Sequence, residues 1–416
     1  MTQTTAEKTT APAAPLAHFS APHRVLSDAL NLTALSVAPR PLVPILGGIV
    51  AESTPDSVTL HAYDYETTVS VTLPAVPAST GRSVLDHGEL KKILAGVAAG
   101  ETKSAADRIP VTVSAEILST PDIAVPLTTY PTEDFPALPT PAAPVASVDS
   151  GAFLSQLTRV LTAAGADATL PVLMCVQFTL HSGSLTMHAT DQYRMASADV
   201  PVTRSQIGKP HKTVSALIPA DILDKVAKQM RRYDGPVGIG VVEEPKIGAT
   251  LVTLTFDNVQ VSFRPYEGSL PKTKSLLPEA SHLSITLDRA ATIRAAKKAA
   301  ALAKAKKDGM SCMLDSAEEG TVSLAPFYGE KDRTLVRGVS LPVTLANGTP
   351  DALAATAVRV NSKFLLEALS TFTGDGITIH LQAPGDDGRV AKPLLLTDGP
   401  ALRGEGYWHL LMPLRD

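Results

Sequence analysis

The chain repeats part of its own sequence at a spacing the size of a whole domain. Three short segments recur 127 positions later (171 minus 44, for example), matching 44–46 with 171–173, 58–60 with 185–187, and 62–64 with 189–191. A repeat of this length is too long for a solenoid unit and is typical of a duplicated domain. The sequence therefore predicts tandem copies of one fold.

Each copy is centred on a predicted β-hairpin. In the second copy an apolar run from Val172 to Leu180 precedes the turn residues 181–184 and the alternating residues 185–189. This pattern indicates two strands joined by a glycine turn. A weaker third copy has predicted strands at 310–314 and 321–324. We therefore predict an α+β chain built from three tandem copies of one domain.

Each copy is also predicted to carry one helix before its hairpin and one after it. The predicted helices span about 22–36, 86–99, 150–164, 220–232, 288–307 and 362–372. Proline-rich linkers separate the copies. The first residues are rich in Thr, Ala and Pro, and a segment of this composition buries too little apolar surface to offset the entropy lost on ordering. The predicted segments are a disordered tail at 1–17 and domains at 18–142, 145–272 and 279–416.

Composition restricts the class of protein. The 416 residues are 44% hydrophobic, which suffices for three real cores. The chain has two cysteines, Cys175 and Cys312, in separate copies, so we expect buried free thiols and no disulfide framework. No apolar run reaches the length of a membrane span, and no basic and apolar secretion signal opens the chain. We expect a cytoplasmic protein with no membrane partner.

The sequence shows no constellation typical of catalysis. Asp191 and Arg194 are close in sequence, but no histidine or second carboxylate lies in register with them. We interpret them as an ion pair that closes a strand end. His181 and His188 lack partners at metal-ligand spacing and are predicted to be solvated or packed. We therefore predict no catalytic residue, metal or cofactor, and an unrelated α+β hydrolase remains the least favoured alternative.

Positive charge is concentrated on the predicted helices, although the net charge is −4. Lys and Arg are good formers of solvated helices, and that interpretation is open for any single helix. For six helices together we favour a surface that faces phosphates, with contacts to the nucleic acid backbone and not to base sequence. The helical residues predicted to face the phosphates are Arg24, Lys91, Lys92, Arg159, Lys225, Lys228, Arg231, Arg232, Arg294, Lys297 and Lys298.

Several sequence blocks resemble the bacterial sliding clamp, the beta subunit of DNA polymerase III. The matching blocks are RPLVPILG at 40–47, TEDFP at 132–136, ATDQYRMA at 189–196, the segment 266–278, and LMPLR at 411–415. The resemblance implies a ring-forming homodimer of head-to-tail subunits, with helices lining a hole for duplex DNA. It also implies a processivity factor for DNA replication, found in the cytoplasm with the nucleoid. On the family's pattern, Arg40 matches a DNA-contacting arginine.

The resemblance further implies one pocket between the second and third domains for a short linear motif of DNA polymerase and clamp-loader subunits. Apolar side chains would accept the motif's hydrophobic residues, and backbone groups would fix its register. By position the pocket residues are Leu173, Thr190, Gln192, Tyr193, Arg194, Met195, Pro271, Leu276, Leu410, Met412, Pro413, Leu414 and Arg415.

The predicted subunit interface departs from the family's pattern. The resemblance places Val125 and Leu127 opposite a helix segment that includes Lys297, Lys298 and Leu302. Alanine and lysine replace a more apolar helix there, so less apolar area would be buried in a ring. The alternative function is therefore an actinobacterial-type clamp paralogue with a non-replicative role, such as binding a clamp-directed inhibitor or scaffolding repair proteins.

Overall fold

The fold is described by a computed structural model, which covers residues 15–38, 40–114, 116–205, 213–271, 276–306, 311–318, 320–385, 390–402 and 406–414. These residues form two compact units. Unit 1 is the described part of Met1–Val145, Gly235–Glu243 and Thr250–Arg264, and unit 2 is that of Ala146–Asp234, Glu244–Ala249 and Pro265–Asp416. The predicted boundaries of three domains stay a prediction.

The six predicted helices are all present, and two short helices, α3 and α7, were not predicted. The helices are α1 (His23–Thr33), α2 (His87–Val97), α3 (Lys103–Ala106), α4 (Ser150–Leu161), α5 (Ala220–Met230), α6 (Arg289–Ala305), α7 (Pro350–Ala354) and α8 (Ser362–Thr371). Helices α2, α4 and α6 have aspartate N-caps: the carboxylates of Asp86, Asp149 and Asp288 each accept a hydrogen bond from a backbone N–H in the first turn.

The first thirteen strands are β1 (His18–Pro22), β2 (Gly48–Ser53), β3 (Val58–Tyr63), β4 (Thr67–Leu73), β5 (Val76–Ser79), β6 (Gly81–Asp86), β7 (Pro110–Ser114), β8 (Ile117–Ser119), β9 (Ala124–Pro126), β10 (Thr129–Tyr130), β11 (Pro144–Asp149), β12 (Cys175–Leu180) and β13 (Ser184–Thr190). The others are β14 (Arg194–Ser205), β15 (Val214–Pro219), β16 (Pro236–Glu244), β17 (Gly248–Phe256), β18 (Val259–Phe263), β19 (Leu283–Asp288), β20 (Ser311–Ser316), β21 (Thr321–Pro326), β22 (Val339–Asn347), β23 (Ala357–Asn361), β24 (Gly376–Leu381), β25 (Leu394–Thr397) and β26 (Tyr407–Leu411).

The repeat at 127 positions is visible in the backbone. Short 3₁₀ helices at Pro44–Gly47 and Pro171–Met174 precede strands β2 and β12 in the two copies. The predicted strand at 172–180 therefore begins three residues late, at Cys175. Proline at the first position of each 3₁₀ helix suits its fixed φ angle and needs no N–H donor.

Unit 1 contains two antiparallel sheets, ordered β5-β1-β7-β8-β9 and β10-β6-β2-β3-β4-β18-β17. Its helices α1 and α2 are joined by reciprocal hydrogen bonds. His23 at the start of α1 bonds the Leu94 carbonyl through Nε2, and His87 at the start of α2 bonds the Leu30 carbonyl, each over 2.9 Å. These bonds satisfy carbonyls in the last turn of each helix.

The chain enters unit 1 before its first strand. The Pro15 carbonyl accepts a hydrogen bond from Arg82 N over 2.8 Å, and Ala17 is buried. Residues 15–17 of the predicted tail are therefore part of unit 1, because backbone pairing offsets their ordering entropy. Residues 1–14 of that tail lie outside the described residues.

Unit 2 contains a long antiparallel sheet, β15-β12-β13-β14-β26-β25-β24-β19-β22, and a second sheet, β23-β20-β21-β22. Helix α6 turns a face of small residues inward, with Ala295, Ala296, Ala299 and Ala303 buried. Alanine at this spacing lets the helix approach its neighbours closely. The same helix leaves its lysines on the outside.

Candidate partner-binding site

A tight turn between β13 and β14 forms the centre of the candidate site. The Asp191 carboxylate accepts hydrogen bonds from the backbone N–H groups of Tyr193 and Arg194, both over 3.0 Å. Gln192 adopts the left-handed conformation, with φ of 77°. Asp is suited to such a turn because its short side chain replaces backbone partners.

Arg194 occupies a place where three partners converge. Its Nε donates to Asp191 over 2.9 Å, its Nη1 donates to Glu367 on α8, and its guanidinium lies 4.4 Å from the Phe364 ring centroid. The predicted Asp191–Arg194 ion pair is confirmed. Only 9% of the Arg194 side chain is exposed. Its main role is therefore structural, because it links the turn at Asp191 to helix α8 at Glu367.

Tyr193 is on the outside of this arrangement. Its side chain is 60% exposed and stacks on Phe364, with ring centroids 6.2 Å apart and planes 27° from parallel. Its carbonyl accepts a hydrogen bond from Met412 N over 2.8 Å. An exposed aromatic ring held in this way offers a preordered apolar surface.

The C-terminal strand borders the turn. β26 pairs with β14, so that Leu410 lies opposite Met195. Beyond the strand Met412 is half-buried, Pro413 is buried and Leu414 is partly exposed, with Leu414 N bonded to the Arg359 carbonyl over 2.8 Å. Residues 412–414 are therefore held by backbone hydrogen bonds while part of their apolar surface stays accessible.

A cleft of about 200 Å³ opens between the turn, the C-terminal strand and the segment that precedes β19. We call it the partner cleft. Its apolar side chains suit the hydrophobic residues of a short peptide. Eight of the predicted pocket residues line it, namely Thr190, Gln192, Arg194, Met195, Pro271, Leu276, Leu410 and Met412.

The remaining predicted pocket residues lie elsewhere. Leu173 is buried in a separate cluster with Cys175, Leu217 and Leu270, so it does not line the partner cleft. Tyr193 adjoins the cleft through its hydrogen bond from Met412 N, and Pro413 and Leu414 follow Met412 in the chain without lining the cleft. Arg415 lies outside the described residues. Sequence reasoning missed Phe364 and Glu367, which come from α8 far along the chain.

Most side chains predicted to face DNA are exposed. These are Arg24, Arg40, Lys91, Lys92, Lys225, Lys228, Arg231, Arg232, Arg294, Lys297 and Lys298. Some have neighbouring acids on their own helix, since Arg24 lies 3.5 Å from Asp28 and Lys225 3.6 Å from Asp221. Exposed pairs of this kind are weak and leave the cation available to a phosphate.

Arg159 is the exception among the side chains predicted to face DNA, because it is largely buried. Its side chain is 11% exposed, donates to Asp398 over 2.9 Å and lies 3.7 Å from the centroid of the Tyr407 ring. Burial and the interactions with Asp398 and Tyr407 leave this guanidinium unavailable to DNA. The prediction for Arg159 was wrong because Asp398 and Tyr407 are far away in the sequence, near the other end of the chain.

The predicted interface residues have mixed environments. Leu127 is already buried within unit 1, and Val125 is half-buried on β9, the last strand of its sheet among the described residues. In unit 2, Leu302 on α6 is 52% exposed, with exposed Lys297 and Lys298 one turn before it. Leu302 is therefore available to a second molecule, whereas Leu127 contributes to its own core.

The described residues bear on the predictions for metal ligands and for the two cysteines. No group of three or more His, Cys, Asp and Glu side chains among them could hold a metal ion. Both cysteines are free and buried, and burial raises the pKa of Cys175 to about 11 and of Cys312 to about 12. These thiols are protonated and unreactive at neutral pH. No helix in the described part of the chain is long and apolar enough to cross a membrane.

Solved structures show which class of protein this fold belongs to. The Bacillus subtilis DNA polymerase sliding clamp superposes with a TM-score of 0.79 at 19% identity, over 96% of this chain and 100% of that one. A Pseudomonas aeruginosa sliding clamp bound to griselimycin gives a TM-score of 0.75 at 17% identity, over 96% of this chain and 100% of that one. The fold is that of the DNA clamps.

Sequence relatives identify the family. Residues 147–272 match the family model of the central domain of the DNA polymerase III beta subunit. The beta sliding clamp of Micrococcus luteus is 30% identical over 69% of this chain and 88% of its own length. The beta sliding clamp of Streptomyces coelicolor is 28% identical over 94% of this chain and 97% of its own length. The beta sliding clamp homolog GriR of Streptomyces muensis is 30% identical over 63% of this chain and 66% of its own length. The chain belongs to the beta sliding clamp family, whose members are non-catalytic processivity factors.

Proposed function

We propose that two copies of this chain close head to tail around duplex DNA and tether the replicative polymerase and other DNA enzymes to it. The partner cleft carries the proposal, because in a non-catalytic clamp an apolar cleft of this size is a place to hold other proteins. Such a ring acts in DNA replication, in the cytoplasm and at the nucleoid. Its function is an association without a chemical step.

DNA polymerase and clamp-loader subunits would bind through a short linear motif. Met195, Leu276 and Met412 supply apolar walls to the cleft. Methionine adapts its shape to different side chains, which suits a site that serves several partners in turn. The exposed Tyr193 ring on Phe364 would extend the apolar surface along the peptide.

Duplex DNA would be held through its backbone. The exposed basic side chains of α1, α2, α5 and α6 offer cations to phosphates without selecting a base sequence. Weak individual contacts suit sliding, because a closed ring retains DNA topologically.

Ring closure would depend on a small apolar contact. Leu302 is the large apolar side chain exposed on the described part of α6, and lysines surround it. A contact of this composition buries little apolar area, so we expect the subunits to separate more readily than those of an apolar interface.

The first experiment is the solution mass of the full chain, measured by light scattering across a dilution series at two salt concentrations. A mass of twice 43.5 kDa that persists to low concentration supports the ring, and retention on circular but not linear DNA then tests encirclement. A monomer at every concentration contradicts the ring.

A second candidate function is favoured by one observation, the 30% identity with the clamp homolog GriR. A clamp paralogue could bind a clamp-directed inhibitor through the same cleft, or scaffold repair proteins. Titration with griselimycin, which is bound to a related clamp structure, tests the first possibility. Support of normal replication by this copy alone, in cells depleted of their main clamp, would argue for the replicative function.

A further inference from the structure

A second and larger cleft lies on the outer face of the long sheet in unit 2. It has a volume of about 870 Å³ and is bounded on one side by Leu270, Pro271 and Leu277. We call it the sheet cleft. Its lining comes from alternate residues of adjacent strands, since Thr179 lies opposite Thr186 on β13 and opposite Ser215 on β15. Alternation along the strands places these polar side chains on one face and the core on the other.

The chemistry of this cleft differs from that of the partner cleft. Thr186 donates to the Asp199 carboxylate over 2.6 Å, and Gln177 and Ser197 add further polar groups. Among the described residues that line it, Asp199 is the one that carries a formal charge at neutral pH. Trp408 forms an apolar wall beside His188, with ring centroids 6.0 Å apart. Such a surface suits an extended polar chain with a cation.

The two clefts are adjacent. Met195 and Pro271 line both of them, so the segment next to a motif bound in the partner cleft lies within reach of the sheet cleft. Met195 packs with Leu410 and Trp408 in one cluster, which joins the two linings physically.

We propose that the sheet cleft holds the segment that flanks the linear motif of a bound partner, and that Asp199 selects a flank with Lys or Arg. This inference rests on the proposed use of the partner cleft. It names a second determinant of partner choice: apolar residues of the motif would bind one cleft, and a basic flank would bind the other. The flank's extended backbone would hydrogen-bond the hydroxyl and amide groups that line the strands.

The test uses fluorescein-labelled peptides free of tryptophan and the full chain. Each peptide carries the clamp-binding segment of a DNA polymerase III catalytic subunit, either alone or with six residues added at its amino or its carboxyl end. The added residues contain either two lysines or two glutamates. We expect the lysine flank at one end to tighten binding by about two- to fivefold, the range of an exposed charge pair, and the glutamate flank not to do so.

Trp408 provides an independent signal. It is the single tryptophan of the chain and lines the sheet cleft but not the partner cleft. The lysine-flanked peptide should change the tryptophan emission more than the motif alone at equal occupancy. Equal emission changes together with equal affinities at both ends would overturn the proposal, whereas no binding of the motif alone would refute the partner cleft instead.

Three variants complete the test. Asp199→Asn keeps an acceptor for Thr186 and should abolish the gain from the lysine flank while leaving motif affinity unchanged. Ser215→Lys, at an exposed lining position, should repel the same flank. The matched control is Asp257→Asn, an exposed carboxylate in a turn of unit 1, where φ of 49° is well tolerated by Asn. A lysine gain that survives both cleft variants would also overturn the proposal.

Discussion

Arg194 of the second repeat is hydrogen-bonded to Glu367 of the third. The same guanidinium is paired with Asp191, so one largely buried cation joins two carboxylates from segments that are distant in sequence. An arrangement of this kind contributes orientation more than stability, since desolvation offsets much of the attraction. It holds the turn that carries Gln192 and Tyr193 against helix α8.

Replacing Arg194 with Met should destabilise the protein by about 3 kcal/mol, because two carboxylates lose their common cation in a poorly solvated place. Glu367→Gln should cost about 1 kcal/mol or less, since Glu367 is 36% exposed and solvent screens it. Urea unfolding of both single variants and the double variant measures the coupling. Lys363→Gln, which removes only a 3.9 Å contact to Glu367, is the control. Equal stabilities of the Arg194 and Lys363 variants would contradict the interpretation.

Leu276→Glu should weaken binding of a clamp-binding peptide by about tenfold, the effect of removing part of a buried leucine side chain and adding a charge. Leu276 lines the partner cleft and is 39% exposed in the free chain, so folding should be preserved. Fluorescence polarisation gives the affinity. The matched control is Leu335→Glu, which changes a leucine 79% exposed outside the cleft. An equal loss with both variants would indicate a nonspecific effect of charge.

The double variant Lys297→Glu/Lys298→Glu should reduce affinity for duplex DNA and lower the slope of its salt dependence. The slope should fall by about one for each phosphate that the protein no longer neutralises, because fewer counterions are released on binding. Anisotropy of a labelled duplex across a salt series measures it. Lys392→Glu, at an exposed position that was not predicted to face DNA, should leave the slope unchanged. An unchanged slope in the double variant would remove α6 from the DNA-facing surface.

Acid should destabilise unit 2 through two buried histidines. Burial lowers the pKa of His380 to about 4 and that of His409 to about 3, from a usual value of 6.5. Below pH 6.5 the unfolded state therefore binds protons that the folded state does not. Each histidine should reduce the free energy of unfolding by about 1.4 kcal/mol per pH unit as the pH falls towards its folded-state pKa.

The variant His380→Gln tests this expectation. His380 lies between the Ser284 and Thr397 hydroxyls, 2.7 Å from each, and Gln retains hydrogen-bonding groups. Urea unfolding at pH 7.0, 6.0 and 5.0 should show a shallower loss of stability for this variant than for the unchanged chain. His282→Gln, at an exposed site, should lose stability as steeply as the unchanged chain does. Parallel curves for all three proteins would contradict the assignment to His380.

The fold was largely predictable because its signals are local. Helix periodicity and capping carboxylates mark α4 and α6 within a dozen residues, and strand alternation marks β13. The short helices α3 and α7 escaped prediction because four or five residues carry no periodicity. Residues 172–174 of the 3₁₀ helix at Pro171–Met174 were predicted as strand because a continuous apolar run fits both conformations.

Placement of the site residues was less predictable. Thr190, Gln192 and Met195 lie in or beside the turn; the resemblance predicted all three for one pocket, and they line the same cleft. Arg159 could not be assigned, since its partners Asp398 and Tyr407 become neighbours only in the folded sheet. Charge on a helix does not reveal whether the side chain has a carboxylate partner from a distant strand.

The left-handed residue of the turn has a counterpart 127 positions earlier. Tyr65 has φ of 75°, close to that of Gln192, and Asp64 accepts hydrogen bonds from the next residues in the same way as Asp191. A strained backbone is kept in both copies, although only the second contributes to the partner cleft. The corner is therefore a property of the repeated fold itself, and the second copy combines it with Leu410 and Met412 of the C-terminal segment to form a cleft. Protein engineers could build a second docking site on the corner of the first copy.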